Sequence, residues 1–225
     1  MAESSMMSNQ GELFPAADDP SAPRPPESLW PSGFELEHGF LAQAEAERVM
    51  EELAATIPWE RDEIMMYGKR LPVPRLTAWF GDRGADYVYS GVRNVPRPWT
   101  ATLAGLRDLV AARCGVTFNS VLLNLYRDGS DSVAWHRDDE PELGRAPTIG
   151  SLSLGATRRF RLRNRESGHA LGWDLESGSL LVMSGASQGD WEHCVSKTKR
   201  PVGARINLTF RQIAQAQRPS APNSE

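Results

Sequence analysis

The stretch ARINLTFRQI, residues 204–213, alternates polar and apolar side chains, and this period of two is typical of a β-strand with two different faces. The apolar face would pack into a core. The polar face carries Arg205, Asn207, Thr209 and Arg211. Two guanidinium groups on one covered face need anionic partners, because burying an unpaired charge is costly. Arg pairs bidentately with carboxylates, so the stretch indicates a strand that lines a binding site for a dicarboxylate, and a solvent-facing strand with scattered polar residues is the alternative.

Further strand-like runs indicate that most of the chain is β-structure. They are short, and Gly, Pro, Asp or Asn residues bound them. The runs are VLLNLYRDG (121–129), PTIGSLSLGA (147–156), RRFRLRN (158–164) and GSLLVMSG (178–185). Many short strands at such spacing favour a sandwich or barrel. In VLLNLYRDG, Asn124 and Tyr126 alternate and would add polar groups from an adjacent strand.

Two helices are expected to flank this β core. Residues 40–57 repeat apolar side chains near the helical period, and residues 98–114 do so before Gly115, a common residue after a helix end. Residues 1–28 are rich in Ser, Pro, Ala and acidic residues and have no hydrophobic period. We therefore expect a disordered tail over 1–28, one domain over 29–213 and a second tail over 214–225.

A possible metal site combines two histidines and a carboxylate. His136 and Asp138 stand at i and i+2 in WHRDDEPE, so on a strand both would point to one face. His193 follows 55 residues after Asp138. Such a set occupies one face of an octahedron and suits Fe(II), while zinc in a hydrolase remains the alternative. The remaining histidines, His38 and His169, are interpreted as surface residues.

Composition restricts the class of protein. The 225-residue chain is 40% hydrophobic, has no apolar run of membrane-spanning length and begins without a signal-peptide pattern. Cys114 and Cys194 form no disulfide framework, which fits a reducing cytoplasm. Residues 1–63 carry 14 Asp/Glu and 3 Arg, whereas residues 64–225 carry 22 Lys/Arg and 15 Asp/Glu. The basic part indicates a polyanionic partner.

Together these motifs make the chain resemble the AlkB family of Fe(II)- and 2-oxoglutarate-dependent dioxygenases, and within it the DNA-repair branch that includes the animal enzyme acting on double-stranded DNA. The resemblance rests on N-x-Y-x-D-G (124–129), H-R-D-D-E (136–140), His193 and R-I-N-L-T-F-R (205–211), and it extends over residues 74–213. It implies a double-stranded β-helix, or jelly roll. It implies Fe(II) on His136, Asp138 and His193, and 2-oxoglutarate on Asn124, Tyr126, Arg205, Thr209 and Arg211, with Asn207 supporting. Arg205 would take the distal carboxylate.

The same resemblance implies oxidative demethylation of 1-methyladenine and 3-methylcytosine in DNA, with release of formaldehyde and succinate. These bases are cations, so carboxylates beside the iron would favour them over undamaged bases. A base inside a duplex must be flipped out before it can react. The predicted substrate contacts are Asp139, Glu140, the strand residues Tyr87, Val88 and Tyr89, and the hairpin residues Tyr67, Gly68 and Lys69. Arg159, Arg161, Arg163 and Arg165 alternate in a basic strand that would contact phosphates.

QGELF, residues 10–14, resembles the peptide by which bacterial repair proteins hold the replication sliding clamp. Gln10, Leu13 and Phe14 would make that contact. We expect a monomeric, cytoplasmic and nucleoid-associated bacterial protein with no membrane contact. The alternatives are an RNA demethylase or another hydroxylase of the same fold, and a module that binds alkylated nucleic acid without turnover.

Overall fold

Antiparallel strands dominate the computed structural model, which describes residues 30–66, 69–89 and 92–214. Three helices and fourteen strands form within these residues. The helices are α1 (Gln43–Thr56), α2 (Ala101–Cys114) and α3 (Ser187–Asp190). The strands are β1 (Phe34–Glu37), β2 (Glu63–Met66), β3 (Lys69–Pro72), β4 (Leu76–Gly81), β5 (Tyr87–Tyr89), β6 (Val92–Asn94), β7 (Ser120–Tyr126), β8 (Val133–His136), β9 (Ile149–Gly155), β10 (Arg158–Asn164), β11 (Ala170–Leu175), β12 (Leu180–Met183), β13 (Trp191–Val195) and β14 (Arg205–Arg211).

Two larger sheets build the core and confirm the predicted mainly β architecture. A six-stranded sheet has the order β1-β12-β9-β14-β7-β4, and a four-stranded sheet has the order β11-β10-β13-β8. Apolar side chains from both sheets share one cluster, which includes Ile149 and Leu181 from the first sheet and Leu162 and Trp173 from the second. The two sheets therefore face each other, and the β2-β3 and β5-β6 hairpins are additions to this sandwich.

The helices cover the other face of the six-stranded sheet. A second apolar cluster joins α1 and α2 to β7, β9 and β14, where Ile206, Leu208 and Phe210 are fully buried. Thr100 caps α2 by accepting a hydrogen bond from the backbone N–H of Leu103, and Gly115 ends the helix in the left-handed region at φ 66°. No helix in the described part of the chain is long and apolar enough to cross a membrane.

Several expectations about the elements need correction. The helix expected over 40–57 begins at Gln43, and the one expected over 98–114 begins at Ala101. The strands β1, β4, β6, β11 and β13 were not predicted. Asp138 does not share a strand with His136, because β8 ends at His136 and Asp138 lies in the loop that follows. His38 and His169 are exposed as predicted, and Cys114 and Cys194 are both free.

Candidate active site

The three predicted metal ligands meet in one cavity between the two sheets. Ligand atoms of His136, Asp138 and His193 all lie within 4.8 Å of one another. His136 and His193 are opposite each other in the ladder that pairs β8 with β13, and their ring centroids are 4.2 Å apart. The antiparallel register therefore brings together two ligands that are far apart in sequence.

The tautomer of His136 follows from its backbone contact. Its Nδ1 lies 2.9 Å from the carbonyl oxygen of Ala134, and because a carbonyl only accepts, Nδ1 carries the proton. Nε2 therefore keeps its lone pair for a metal. Nε2 of His193 lies 4.0 Å from Oδ2 of Asp138, and its ring packs 5.2 Å from that of Phe160. Packing on both sides thus holds the His193 ring.

The charge states of the ligands suit metal binding at neutral pH. Burial raises the pKa of Asp138, but the charge of Arg211 and the two imidazoles outweigh it and lower the pKa to about 2. Burial, aided by His136, lowers the pKa of His193 to about 3. Arg211 donates from Nη2 to Oδ1 of Asp138 at 2.6 Å. An ionised carboxylate and a neutral imidazole are the forms that bind a divalent metal.

Arg205 fits the distal carboxylate of an acid such as 2-oxoglutarate. Its side chain is only 1% exposed, and Nη2 donates to Ser153 Oγ at 2.9 Å and to Asn207 Oδ1 at 2.7 Å. Nε and Nη1 are buried and have no hydrogen-bond partner among the described residues. Two donors of a buried cation are thus left for a carboxylate, which would accept both in the bidentate arrangement that guanidinium favours.

The rest of β14 builds a connected polar face, as the alternation predicts. Asn207 accepts from Arg205 and Ser151 and donates from Nδ2 to Thr209 Oγ1 at 2.9 Å. With Oδ1 and Nδ2 engaged, Asn207 orients its neighbours, which agrees with a supporting role. All six predicted 2-oxoglutarate residues line the cavity that holds the metal ligands: Asn124, Tyr126, Arg205, Asn207, Thr209 and Arg211.

Two arginines that the sequence did not single out support the neighbouring strand β7 and the loops beside it. Arg75 is buried, and its Nε donates to Oδ1 of Asn124 at 2.6 Å, which leaves the amide nitrogen of Asn124 to face a ligand. Arg158 is also buried and donates to the carbonyl oxygens of Asp128, Asp131 and Ser196.

The ring of Tyr126 lies against two guanidinium groups. The Cζ atom of Arg158 is 5.5 Å from the ring centroid, and that of Arg205 is 5.2 Å from it. Burial lowers the pKa of both arginines, although a guanidinium keeps its proton in a protein. The ring therefore lies beside two buried positive charges, which adds to the attraction for an anionic cosubstrate.

Comparison with known proteins agrees with this geometry. The family model described as "2OG-Fe(II) oxygenase superfamily" matches residues 33–211, which include every ligand named above. The chain belongs to this superfamily. It is therefore an Fe(II)- and 2-oxoglutarate-dependent dioxygenase, and the predicted cofactors are confirmed.

Within the superfamily, the chain is similar to AlkB homologues, which confirms the resemblance noted in the sequence. The human "Alpha-ketoglutarate-dependent dioxygenase alkB homolog 3" is 41% identical over 199 residues, which cover 83% of this chain and 69% of the relative. The mouse "DNA oxidative demethylase ALKBH2" is 37% identical over 185 residues, which cover 77% of each chain. "The structure of OsALKBH1" matches with a TM-score of 0.59 at 21% identity, over 80% of this chain and 98% of that one, and so confirms the jelly-roll fold.

Of the predicted substrate residues of this dioxygenase, some line the cavity and others do not. Glu140 lines the cavity. Asp139 is exposed, does not line the cavity, and pairs with Arg137 at 2.6 Å. Tyr67 and Gly68 lie outside the described residues. Lys69 begins β3, and Tyr87, Val88 and Tyr89 form β5, but only their backbone is described. The substrate contacts of these residues remain predictions.

Other residues line the cavity but were not predicted from the sequence. Glu60 and Asp62 come from the segment between α1 and β2 and add carboxylates to the lining; Asp62 also accepts from the hydroxyl of Thr77 at 2.5 Å. Only the acidic character of residues 60–63 could have indicated them. Ser151 alternates with Ser153 in PTIGSLSLGA, so the period of β9 could have placed both serines on the polar side.

Proposed function

We propose that the enzyme removes N-linked methyl groups from DNA bases, with 1-methyladenine and 3-methylcytosine as substrates. Relatives whose names describe DNA oxidative demethylases support this substrate class. When bound, Fe(II) and 2-oxoglutarate supply the oxidation of the methyl carbon by dioxygen, which yields succinate and carbon dioxide. The hydroxymethyl group then leaves the base as formaldehyde.

The observation that carries the proposal is the charge of the cavity lining. Glu140 lies in the same cavity as the metal ligands, and Asp62 adds a second carboxylate. Glu60 also lines the cavity but is exposed and pairs with Arg97, and Arg137 adds a positive charge near Glu140. Methylation at these ring nitrogens makes the base a cation, so carboxylates favour the damaged base over the neutral undamaged one. The buried cations Arg205 and Arg211 lie on the β14 side, which suits the dianionic cosubstrate.

The test is demethylation of oligonucleotides that carry a single 1-methyladenine or 3-methylcytosine. The protein is incubated with Fe(II), 2-oxoglutarate and ascorbate, and mass spectrometry follows the loss of the methyl group. We expect demethylation that requires both cofactors and disappears in His136→Ala. Succinate formation without demethylation would keep the oxygenase and exclude this substrate. Faster turnover of matched RNA oligonucleotides would instead indicate an RNA demethylase.

Glu140 and Asp139 offer a matched pair for the role of charge in the cavity. We predict that Glu140→Gln raises the KM for 3-methylcytosine DNA about tenfold, since a charged hydrogen bond contributes about 1.5–3 kcal/mol. Asp139→Asn should have a smaller effect, because Asp139 is exposed and already pairs with Arg137. The comparison measures demethylation against 2-oxoglutarate turnover without DNA. Equal losses in both assays for Glu140→Gln would contradict a substrate role.

We further propose that QGELF docks on the sliding clamp through Gln10, Leu13 and Phe14, which lie outside the described residues. Support comes only from the resemblance of this peptide to clamp-binding motifs. We expect the monomer to bind the clamp, in the cytoplasm and close to the nucleoid. Leu13→Ala with Phe14→Ala should abolish co-purification with the clamp and leave activity on free oligonucleotides intact. Retained clamp binding in this double variant would contradict the proposal.

A further inference from the structure

Asp138 is the one metal ligand outside a strand, so something other than a ladder must hold its backbone. His136 and His193 are fixed relative to each other by the pairing of β8 with β13. Asp138 lies two residues beyond the end of β8, yet it is only 3% exposed. Arg211 binds its Oδ1 atom, which restrains the carboxylate but not the main chain.

The backbone of Asp138 is held by Gln188. The N–H group of Asp138 donates to Oε1 of Gln188 at 2.9 Å, and the Gln188 side chain is 2% exposed. The opposite amide orientation would set an NH₂ group against the N–H of Asp138, so this contact assigns the oxygen. Nε2 donates to Ser187 Oγ at 3.2 Å and contacts Met183 Sδ at 3.5 Å. The amide is therefore oriented at both ends.

Gln188 connects the chain segments of two metal ligands. Gln188 lies on α3, the short helix that runs directly into β13, and β13 carries His193. Its hydrogen bond to Asp138 therefore connects the loop that carries Asp138 with the segment that carries His193. Without it, the N–H of Asp138 would be buried with no acceptor at this position, which favours a different loop conformation.

We infer that Gln188 is a positioning residue of the iron centre, which sets the place of Asp138 relative to His193. It is not one of the three ligands, and it acts through the backbone of Asp138. Groups that orient metal ligands in this way typically contribute a factor of about 10–100 to metal affinity. The inference concerns the metal centre of the superfamily and is independent of the DNA substrate proposed above.

The test measures Mn(II) binding to the metal-free protein by electron paramagnetic resonance, without 2-oxoglutarate or nucleic acid. Gln188→Met keeps the size of the side chain and removes the acceptor. We expect its Kd for Mn(II) to rise about 10–100-fold. Gln188→Glu keeps the acceptor and adds negative charge near the cation, so its Kd should stay at or below that of the wild type.

A matched control separates positioning from a general loss of stability. Val49→Ala truncates a buried side chain on α1, in the apolar cluster on the helix side of the large sheet, and should leave the Kd unchanged. If Gln188→Met fails to fold, Ser187→Ala removes one of the contacts that orient the amide and should raise the Kd by a smaller factor. If Gln188→Met binds Mn(II) with the Kd of the wild type, the inference is wrong. The same holds for Ser187→Ala if Gln188→Met does not fold. An equal rise in Val49→Ala would also overturn the inference.

Discussion

Single residues in this cavity have distinct electrostatic tasks, and Arg205 and Arg211 show the contrast. Both lie on the polar face of β14, and the sequence predicted both as 2-oxoglutarate ligands. Arg211 is already bound to Asp138, so it stabilises the ionised form of a metal ligand. Arg205 has no such carboxylate among the described residues and keeps two buried donors for a ligand. Alternation in the sequence predicts the shared face but cannot predict which acid each guanidinium meets.

Arg205→Met should weaken the binding of 2-oxoglutarate while sparing the metal. Loss of two hydrogen bonds between charged groups costs at least 1.5–3 kcal/mol, or about 10–100-fold in affinity. Calorimetric titration of 2-oxoglutarate into the Mn(II)-loaded protein measures the effect, and Mn(II) binding alone serves as the control. An unchanged Kd for 2-oxoglutarate would show that its distal carboxylate binds elsewhere.

Arg211→Met should make metal binding sensitive to acid. The positive charge of Arg211 opposes the effect of burial on Asp138, so its removal raises the pKa of that carboxyl from about 2. Metal binding needs the ionised carboxylate, so affinity will begin to fall at a higher pH in the variant than in the wild type. Mn(II) titrations between about pH 8 and about pH 5 measure this, because carboxyl groups with a raised pKa titrate in that range. Parallel pH profiles for both proteins would contradict the argument.

At the level of elements, strands with strict alternation could be predicted and irregular connections could not. The prediction for β14 is confirmed with its faces assigned correctly, because one face packs on the helices and the other lines the cavity. The loop with Asp138 and the four-residue helix α3 have no periodic repeat of apolar side chains that would predict their structure. Gln188 therefore carries no signal in the sequence, although it contacts a residue that does.

The basic strand β10 shows a similar limit. Arg159, Arg161 and Arg163 alternate on β10 as predicted, but the strand ends at Asn164, so Arg165 lies in the turn that follows. Arg159 lies 3.4 Å from Asp174, and Arg163 lies 2.6 Å from Glu192. Arg161 and Arg163 also lie over the ring of Trp135, with Cζ 5.6 Å and 4.6 Å from its centroid. Cross-strand partners of this kind cannot be read from one strand. They leave a surface that combines positive charge with the ring of Trp135, which precedes His136 on β8.

We predict that replacing Arg161 and Arg163 by Ser reduces the salt dependence of DNA binding. Each phosphate contact contributes about one unit to the slope of log K against log salt, so the slope should fall by about two. The control variant replaces the exposed helix residues Arg48 and Arg113 by Ser, which removes the same number of positive charges at another place on the surface. A slope equal to that of the control variant would exclude β10 from the phosphate contacts.

In the whole molecule, a buried cation that meets no carboxylate among the described residues makes stability depend on the ligand. The sandwich keeps Arg205 nearly inaccessible in its interior, which costs folding free energy until an anion binds. The fold class followed from the sequence because the strands repeat a simple period. The pairing of His136 with His193 did not, because it depends on a register between strands far apart in the chain.

We therefore expect 2-oxoglutarate to stabilise the Mn(II)-loaded protein against heat. At about 100 times its Kd, a ligand adds about 2.7 kcal/mol, which raises the Tm by about 5–10 °C in a chain of this size. Differential scanning calorimetry measures the shift, and chelation by EDTA should reverse the part that depends on the metal. Arg205→Met should keep the shift due to Mn(II) and lose most of the shift due to 2-oxoglutarate. Equal shifts in both proteins would contradict this account.

The burial of Arg205 also has a kinetic consequence. Exposure increases through the cavity from Arg205, at 1%, past His193, at 4%, to the half-buried His136 and Glu140. A nucleobase held at Glu140 would close the path by which a dicarboxylate reaches Arg205. We therefore expect an order of events in which the small acid enters before the base and the spent acid leaves after it.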